Sequence, residues 1–309
     1  MIYKAYFGLP NLRIPILLHK AINRVYLLIF KKLFNKRFVK QLQSSMQTDL
    51  IGINKIKRDL IIDVSITSFP ARIEEICYTI ETLFLQTVKA DSITVWLSVD
   101  QFPEREIPTA LKLQKARGLS IKFVEDDLRS HKKYYYSFLE QKDNIIITFD
   151  DDVYYPKNTI EKLIIAHKMF PKAVICNRGH KINFKGNQVL KYKNWSHNFR
   201  NSKPTFDLVP TGVGGVLYPP NSYHKDVFDI KTFKETCFFA DDLWLKVQTL
   251  RKGTKVLGLK TFSRDLINVG KSQDFKLAQH NAVEGGNNEQ FEKILNHYSL
   301  TENDFKDET

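Results

Sequence analysis

The stretch Asn144-Ile145-Ile146-Ile147-Thr148-Phe149-Asp150-Asp151-Asp152 runs from a nearly continuous apolar segment straight into three carboxylates. A short β-branched run without polar alternation is the pattern of a strand buried on both faces, as at the centre of a parallel sheet. The flanking segments agree. Residues 60–67 are rich in Ile and Val and stop at Ser68-Phe69-Pro70, and 92–99 and 121–124 are further strands. Between them, 73–86 and 107–117 carry apolar residues at helical spacing, the second closed by Gly118. Another helix is expected over 134–139, and Pro156 suits the first position of one that passes through Ile160, Leu163, Ile164 and His167 to Pro171. The second half is more irregular, with short strands at 174–176 and 215–218 and a helix over 241–250. Strands that alternate with helices predict an α/β fold whose mostly parallel sheet is covered on both faces.

In open α/β sheets ligands bind outside the carboxyl ends of the strands, and the acidic triplet stands at such an end. Three adjacent carboxylates raise one another's pKa unless a cation neutralises them. A hard divalent ion, held by one or two carboxylates and by substrate phosphates, is the usual partner. Residues i and i+2 of an extended segment share a side, so Asp150 and Asp152 are expected to face the ion and the nucleotide while Asp151 faces elsewhere. The competing expectation is a solvated acidic turn that caps the next helix. Arg129, Lys132 and Lys133 lie just upstream, placed either to reach a diphosphate or to remain in water. The loop of Gly212, Gly214 and Gly215 precedes a strand and gives backbone room for a sugar to approach. It is not a P-loop, because no Gly-Lys-Ser/Thr follows at the required spacing.

The chain has 309 residues, a formal charge of +13 and 43% hydrophobic residues, enough to bury a core, which excludes a disordered polycation. Residues 1–58 hold twelve Lys and Arg against Asp49 alone, whereas the rest is nearly neutral. The expected organisation is a basic helical extension over 1–58 and a catalytic body over 59–309. Leu18, Ile22, Val25, Ile29 and Leu33 recur at helical spacing, with Lys20, Arg24 and Lys31 on the opposite face. Such a helix fits an anionic membrane surface, where Lys31, Lys32, Lys36, Arg37 and Lys40 would each contribute about 1 kcal/mol. A helix packed on the body fits almost as well. Nucleic acid is disfavoured, since Tyr26, Phe30 and Phe34 interleave with aliphatics as a packing face and no nucleic-acid-binding signature follows. No apolar run approaches the ~20 residues of a bilayer span, and no secretory signal is visible. Cys77, Cys176 and Cys237 sit apart among apolar neighbours and are expected as buried, reduced thiols of a cytoplasmic protein.

Six segments in order resemble a GT-A-fold, family-2-like bacterial glycosyltransferase of the lipopolysaccharide and capsule type. They are Val64-Ser65-Ile66-Thr67-Ser68-Phe69-Pro70-Ala71-Arg72-Ile73, Leu83-Phe84-Leu85-Gln86-Thr87 and Asp127-Leu128-Arg129-Ser130-His131-Lys132-Lys133. The others are Thr148-Phe149-Asp150-Asp151-Asp152-Val153-Tyr154-Tyr155-Pro156, Thr211-Gly212-Val213-Gly214-Gly215-Val216-Leu217-Tyr218-Pro219-Pro220 and Ala240-Asp241-Asp242-Leu243-Trp244. The match spans residues 60–290 and leaves the basic extension outside.

The resemblance implies a Rossmann-like GT-A domain that binds a nucleotide-sugar donor, with a UDP-sugar favoured, and a divalent cation, Mn²⁺ or Mg²⁺. It places Asp150 toward the ribose and Asp152 on the metal, with Asp151 in the same nucleotide-sugar-binding segment. Thr67, Arg72 and Asp100 take positions like those that hold the nucleotide. Asp241-Asp242 corresponds to the pair from which inverting members draw the catalytic base, with Asp242 the first choice; the bland alternative is an N-cap for the helix that follows. His280, near a Gly-rich segment expected to be a mobile loop over the donor, would complete the metal shell. The Gln-x-x-Arg-Trp signature of processive synthases is missing after Trp244, so single-residue addition is expected. Ser98-Val99-Asp100 offers one carboxylate where the family has two. The acceptor implied is a surface polysaccharide or a lipid-linked glycan at the inner face of the plasma membrane. Two other functions fit less of the pattern: a nucleotidyl- or phosphotransferase with the same acidic site, and a non-enzymatic basic module that binds membrane or nucleic acid.

Overall fold

Three parallel strands, β1 (Ile62–Thr67), β2 (Ser92–Ser98) and β3 (Leu119–Val124), are laid side by side through the helices α1 (Ile76–Phe84) and α2 (Thr109–Ala116). The computed structural model describes residues 25, 29, 33–34, 36–186, 188–259, 266–270 and 286–306. After α3 (Lys132–Glu140) the chain returns as β4 (Ile145–Thr148), which pairs with the opposite edge of β1. The helix α4 (Thr159–Met169) leads to β5 (Val174–Cys176). Two small antiparallel ladders follow, β6 (Gly179–Lys181) with β9 (Leu208–Pro210) and β7 (Phe184–Lys185) with β8 (Gln188–Val189). The strand β10 (Val216–Tyr218) inserts antiparallel between β4 and β5. Helices α5 (Ile230–Thr236) and α6 (Asp241–Arg251) precede β11 (Val256–Gly258), parallel to β5, and α7 (Gly286–His297) is followed by a short helical turn over Glu302–Phe305. The resulting seven-stranded sheet has the order β11-β5-β10-β4-β1-β2-β3. It is mostly parallel, as expected, and mixed through β10.

Strand pleating sends alternate side chains to two cores. Ile145 and Ile147 join Val64, Ile66, Ile80, Leu111 and Leu163 on the face covered by α1, α2 and α4. Ile146 joins Tyr134, Phe138, Val216 and Trp244 on the face covered by α3 and α6. Burial on both sides explains why β4 reads as a nearly unbroken apolar sequence. On the α3 side β1 contributes a polar residue instead: Ser65 Oγ hydrogen-bonds the carbonyl of Lys133 and accepts from Trp96 Nε1 at 2.9 Å. That network fixes the first turn of α3.

The sheet also fixes where a ligand binds. The chain moves outward from β1 to β2 and β3, then restarts on the other side of β1 with β4. The carboxyl ends of β1 and β4 therefore diverge at a topological switch point, which leaves a crevice there.

Several local expectations change. Pro156 is not the first residue of α4; its carbonyl accepts from the Thr159 amide at 3.1 Å in the turn ahead of the helix. Residues 286–290, expected as loop, form the first turns of α7. All three cysteines are buried and unpaired, as expected. Residues 36–46 are helical, and Phe34 and Leu42 pack against Tyr154, Ile267 and Val269 on the body. Ser45 Oγ donates to Glu81 Oε1 at 2.6 Å, and Glu81 is held by Arg117 at 2.8 Å. Among the described residues no helix is long and apolar enough to cross a membrane.

Candidate active site

A cleft of about 870 Å³ opens at the switch point. One wall comes from Thr67 at the end of β1 and from Ser68 and Arg72 just after it; the floor comes from Phe149 and the triplet after β4. Lys132, Lys133, Asp241 and Asp242, from the first turns of α3 and α6, form the opposite wall.

Lys133 ties the two acidic segments together. Its Nζ lies 2.9 Å from Asp150 Oδ1 and 2.9 Å from Asp241 Oδ2, and its side chain is only 5% exposed. Burial alone would favour the neutral amine, but Asp150, Asp241 and Asp242 outweigh it and hold the ammonium well above its usual range. In return, Asp241 lies below the usual carboxylate range: burial pushes it up, and Lys133 pulls it down further. Asp242 behaves oppositely. Burial first, then repulsion from Asp241, lift it to about 7 against the pull of Lys133. Both its oxygens accept from the Gly212 amide at 3.1 Å. Two neighbouring carboxyls with pKa values pushed apart are the usual arrangement for acid–base work.

The triplet is not arranged as strand alternation predicts. Because β4 ends at Thr148, residues 150–152 form a turn, held by the bridge of Val153 with Asn268 and by the Val269 amide on the Asp152 carbonyl at 2.8 Å. Asp151 does not point away from the site. It shares Arg72 with Asp152, at 2.8 and 3.2 Å, and accepts from Ser68 Oγ at 2.6 Å. Asp150 alone faces Lys133. Burial raises Asp151 despite Arg72. Asp152 rises to about 7, because burial and the repulsion of Asp150 and Asp151 exceed what Arg72 offsets.

The structure sorts the other expected site residues. Thr67 lines the cleft, with its hydroxyl given to the Trp96 carbonyl at 2.8 Å. Lys132 lines it too, but its ammonium is neither solvated nor open to a diphosphate: it is buried against Asp127, and burial lowers its pKa. Arg129 is exposed in the cleft, its guanidinium 4.7 Å from the Phe239 ring centroid. Its backbone is left-handed, at φ 51°, and its amide donates to Asp127 Oδ1 at 2.9 Å. Asp100 is exposed outside the cleft lining, and Gln101 stands there instead. The room at Gly214 and Gly215 is not left for a sugar. A Cβ on Gly214 would lie 2.8 Å from Arg178 Cβ, and one on Gly215, at φ +83°, would lie 2.3 Å from the Phe149 ring. Gly212 is the glycine inside the site. A Cβ there would sit 2.8 Å from both Asp150 Oδ1 and Lys133 Nζ and 3.4 Å from Asp242 Oδ1. Asp241 does not cap α6 through its side chain; Ala240 is the cap residue, and both carboxylates occupy the first turn, where the helix dipole favours negative charge. His280 lies outside the described residues.

Gln101, Arg178, Tyr192 and Phe239 also line the cleft and were not anticipated. For Gln101 and Arg178 a signal was present: each follows the carboxyl end of a strand by two or three residues, where the topology puts ligand contacts.

No family model matches the sequence. No curated protein matches it either. Solved structures do overlap the fold loosely. A 4-diphosphocytidyl-2C-methyl-D-erythritol synthase is 13% identical, with 70% of this chain and 96% of that one covered at a TM-score of 0.41. A CMP:2-keto-3-deoxy-manno-octonic acid synthetase complexed with CTP is 11% identical, covering 64% and 88% at 0.37. S. aureus TarS, residues 1–349, is 14% identical, covering 66% and 59% at 0.39. Overlaps this loose carry no functional information beyond the α/β architecture. What the cleft can do follows from its own groups.

Asp150 and Asp152 offer hard oxygen donors in a segment that carries one more carboxylate than Arg72 and Lys133 neutralise. That donor chemistry fits Mg²⁺ or Mn²⁺. Among the described residues no three His, Cys, Asp or Glu side chains converge as a complete metal cage. Ions of this kind usually complete their shell with water and substrate phosphates.

Proposed function

We propose that the chain is a metal-dependent glycosyltransferase that moves a sugar from a nucleotide-sugar donor, a UDP-sugar by preference, to a surface-polysaccharide or lipid-linked glycan. The observation that carries this reading is the joining of the two acidic segments by Lys133 in one cleft, with the high-pKa Asp242 next to Asp150 across Gly212. Asp150 and Asp152 would hold the divalent cation, which when bound neutralises charge on the departing diphosphate. Arg129, presented on a strained backbone and with no carboxylate of a described residue within ion-pair distance of its guanidinium, approaches the same diphosphate. Thr67, Ser68 and Gln101 lie on the nucleotide side. The Asp242 carboxylate takes the proton of the acceptor hydroxyl. That oxygen bonds to the anomeric carbon as the bond from this carbon to the diphosphate oxygen breaks, and the nucleoside diphosphate leaves with the electron pair. Such a direct displacement inverts the anomeric centre.

Calorimetric titration with UDP-, GDP- and CDP-sugars is expected to show binding that requires Mn²⁺ and is lost in Asp152→Asn. Equal, metal-independent binding by both proteins would refute the metal role. Release of pyrophosphate instead of a nucleoside diphosphate on turnover would replace glycosyl by nucleotidyl transfer.

An anionic membrane surface is the proposed location of the acceptor. Phe34 and Leu42 face the body, whereas Val25, Ile29 and Leu33 are 55, 56 and 65% exposed, and Lys36, Arg37 and Lys40 continue the outer side. At about 1 kcal/mol per cation, replacing these three by Gln lowers partitioning onto phosphatidylserine vesicles by about two orders of magnitude. Undiminished sedimentation of the variant would show that the stripe does not meet lipid.

A further inference from the structure

Five cations line the cleft: Arg72, Arg129, Lys132, Lys133 and Arg178. Arg72 is paired with Asp151 and Asp152, Lys132 with Asp127, and Lys133 with Asp150 and Asp241. Among the described residues, Arg129 and Arg178 have no carboxylate within ion-pair distance. Arg178 stands beside the Asp242 cradle: its Nη1 donates to Thr211 Oγ1 at 3.3 Å, and the next residue, Gly212, supplies the amide on Asp242.

Arg178 is held in place by neutral groups. Its Nε donates to Asn198 Oδ1 at 2.8 Å, and its carbonyl accepts from the Thr211 amide at 3.0 Å. Gly214 packs on its backbone so closely that a Cβ there would lie 2.9 Å from the Arg178 nitrogen. Asn198 is in turn held at φ 52° by its amide on His180 Nδ1 at 3.1 Å. Nη2 makes no hydrogen bond to a described residue. A half-buried guanidinium with its fork fixed and its charge unmatched is preorganised for an anion. Among the described residues no carboxylate of the cleft pairs with this guanidinium, which leaves its free edge to an anion carried by a ligand.

We infer that Arg178 binds an anionic group on the acceptor, a phosphate or carboxylate carried near the hydroxyl that Asp242 deprotonates. The inference rests on the glycosyl-transfer reading for the word acceptor, but the anion site itself does not. Tyr192 and Asn287 line the same cleft and offer a surface for an acceptor sugar ring. Neutral glycans are therefore poor acceptors, and the glycan extended is a polyanion or a sugar linked to phosphate.

The test uses the full chain with ¹⁵N-labelled arginine, whose Nε–H signals are assigned through Arg178→Lys and Arg129→Lys. Inorganic phosphate is expected to shift the Arg178 signal saturably, acetate to shift it less, and glycerol not at all. Glycerol 3-phosphate, sugar 1-phosphates and uronic acids then separate phosphate from carboxylate as the natural group. In transfer assays Arg178→Gln is expected to raise the KM of the anionic acceptor about 10–100-fold, as for loss of a hydrogen bond to a charged group, and the donor KM by less than about twofold. Arg178→Lys, which keeps the charge but not the fork, falls between them and guards against a folding defect. An unshifted Arg178 signal, or equal effects on donor and acceptor KM, would overturn the inference. If phosphate shifts Arg178 but no nucleotide sugar binds, the anion site stands and the glycosyl-transfer reading falls.

Discussion

Asp242→Asn is expected to keep donor binding and to lower sugar transfer by about 10²–10⁴-fold, the usual contribution of a positioned base. The amide still accepts from the Gly212 N–H and fills the same space, so the cleft keeps its shape. Only the proton acceptor is lost. In the wild type the rate should rise through about pH 7, because Asp242 acts when deprotonated and burial, then Asp241, hold its carboxyl near that value. Asp241→Asn removes the second cause and shifts the rising limb to lower pH, while burial keeps part of the elevation. Stability moves the other way. A carboxyl whose folded pKa is raised above its unfolded value of about 3.9 stabilises the fold while protonated, and that contribution fades as pH climbs from about 4 through 7. Asp242→Asn, which cannot ionise, should therefore lose less stability than wild type between pH 5 and 8 in urea melts. Unimpaired transfer by Asp242→Asn would remove it from the role of base, and a pH-independent wild-type rate would do the same.

The parts of this site that were legible in the sequence are those set by local chemistry. The apolar run 145–149 fixes β4, because only a strand between two cores needs no polar face. The triplet at its end and the pair Asp241-Asp242 were visible as carboxylates at a strand terminus and a helix start. What the sequence hid were the partners. Strand alternation would set Asp150 and Asp152 on one side only if β4 continued, but pairing of 153 and 154 with 267–269 turns the chain and gives Asp152 to Arg72 together with Asp151. Lys132 reads as a cation open to a diphosphate or to water because its carboxylate, Asp127, lies across a short helical turn rather than at helical spacing on the same helix. The glycines read as space for a ligand, whereas Phe149 and Arg178 fill the space at Gly215 and Gly214. Arg178 is marked in the sequence only by its place two residues after β5. It matters because Thr211, 33 residues later, returns beside it.

Lys133→Met should be the most damaging single change to both fold and activity. The methionine fits the apolar part of the lysine's path, but it leaves Asp150, Asp241 and Asp242 facing one another with no ammonium between them. Removing one partner from a buried ion pair costs about 3–5 kcal/mol, since the remaining charge is buried uncompensated. For a chain of this size that lowers Tm on the order of 10 °C. The loss should depend on pH in a definite direction. In wild type, Asp241 lies below the carboxylate range, so its contribution is complete above about pH 4 and flat from pH 5 to 8. Without Lys133, burial and the neighbouring carboxylates push Asp241 and Asp242 up, the folded state gains protons, and stability falls as pH rises through the new values. The gap between variant and wild type is then small at pH 5 and large at pH 8. An added divalent cation should narrow it at pH 8 by supplying positive charge to Asp150, the carboxylate that it would share with Lys133, a rescue that a simple packing defect would not show. Equal destabilisation at both pH values, unaffected by Mn²⁺, would mean that Lys133 serves α3 as a packing residue and does not hold the two acidic segments together.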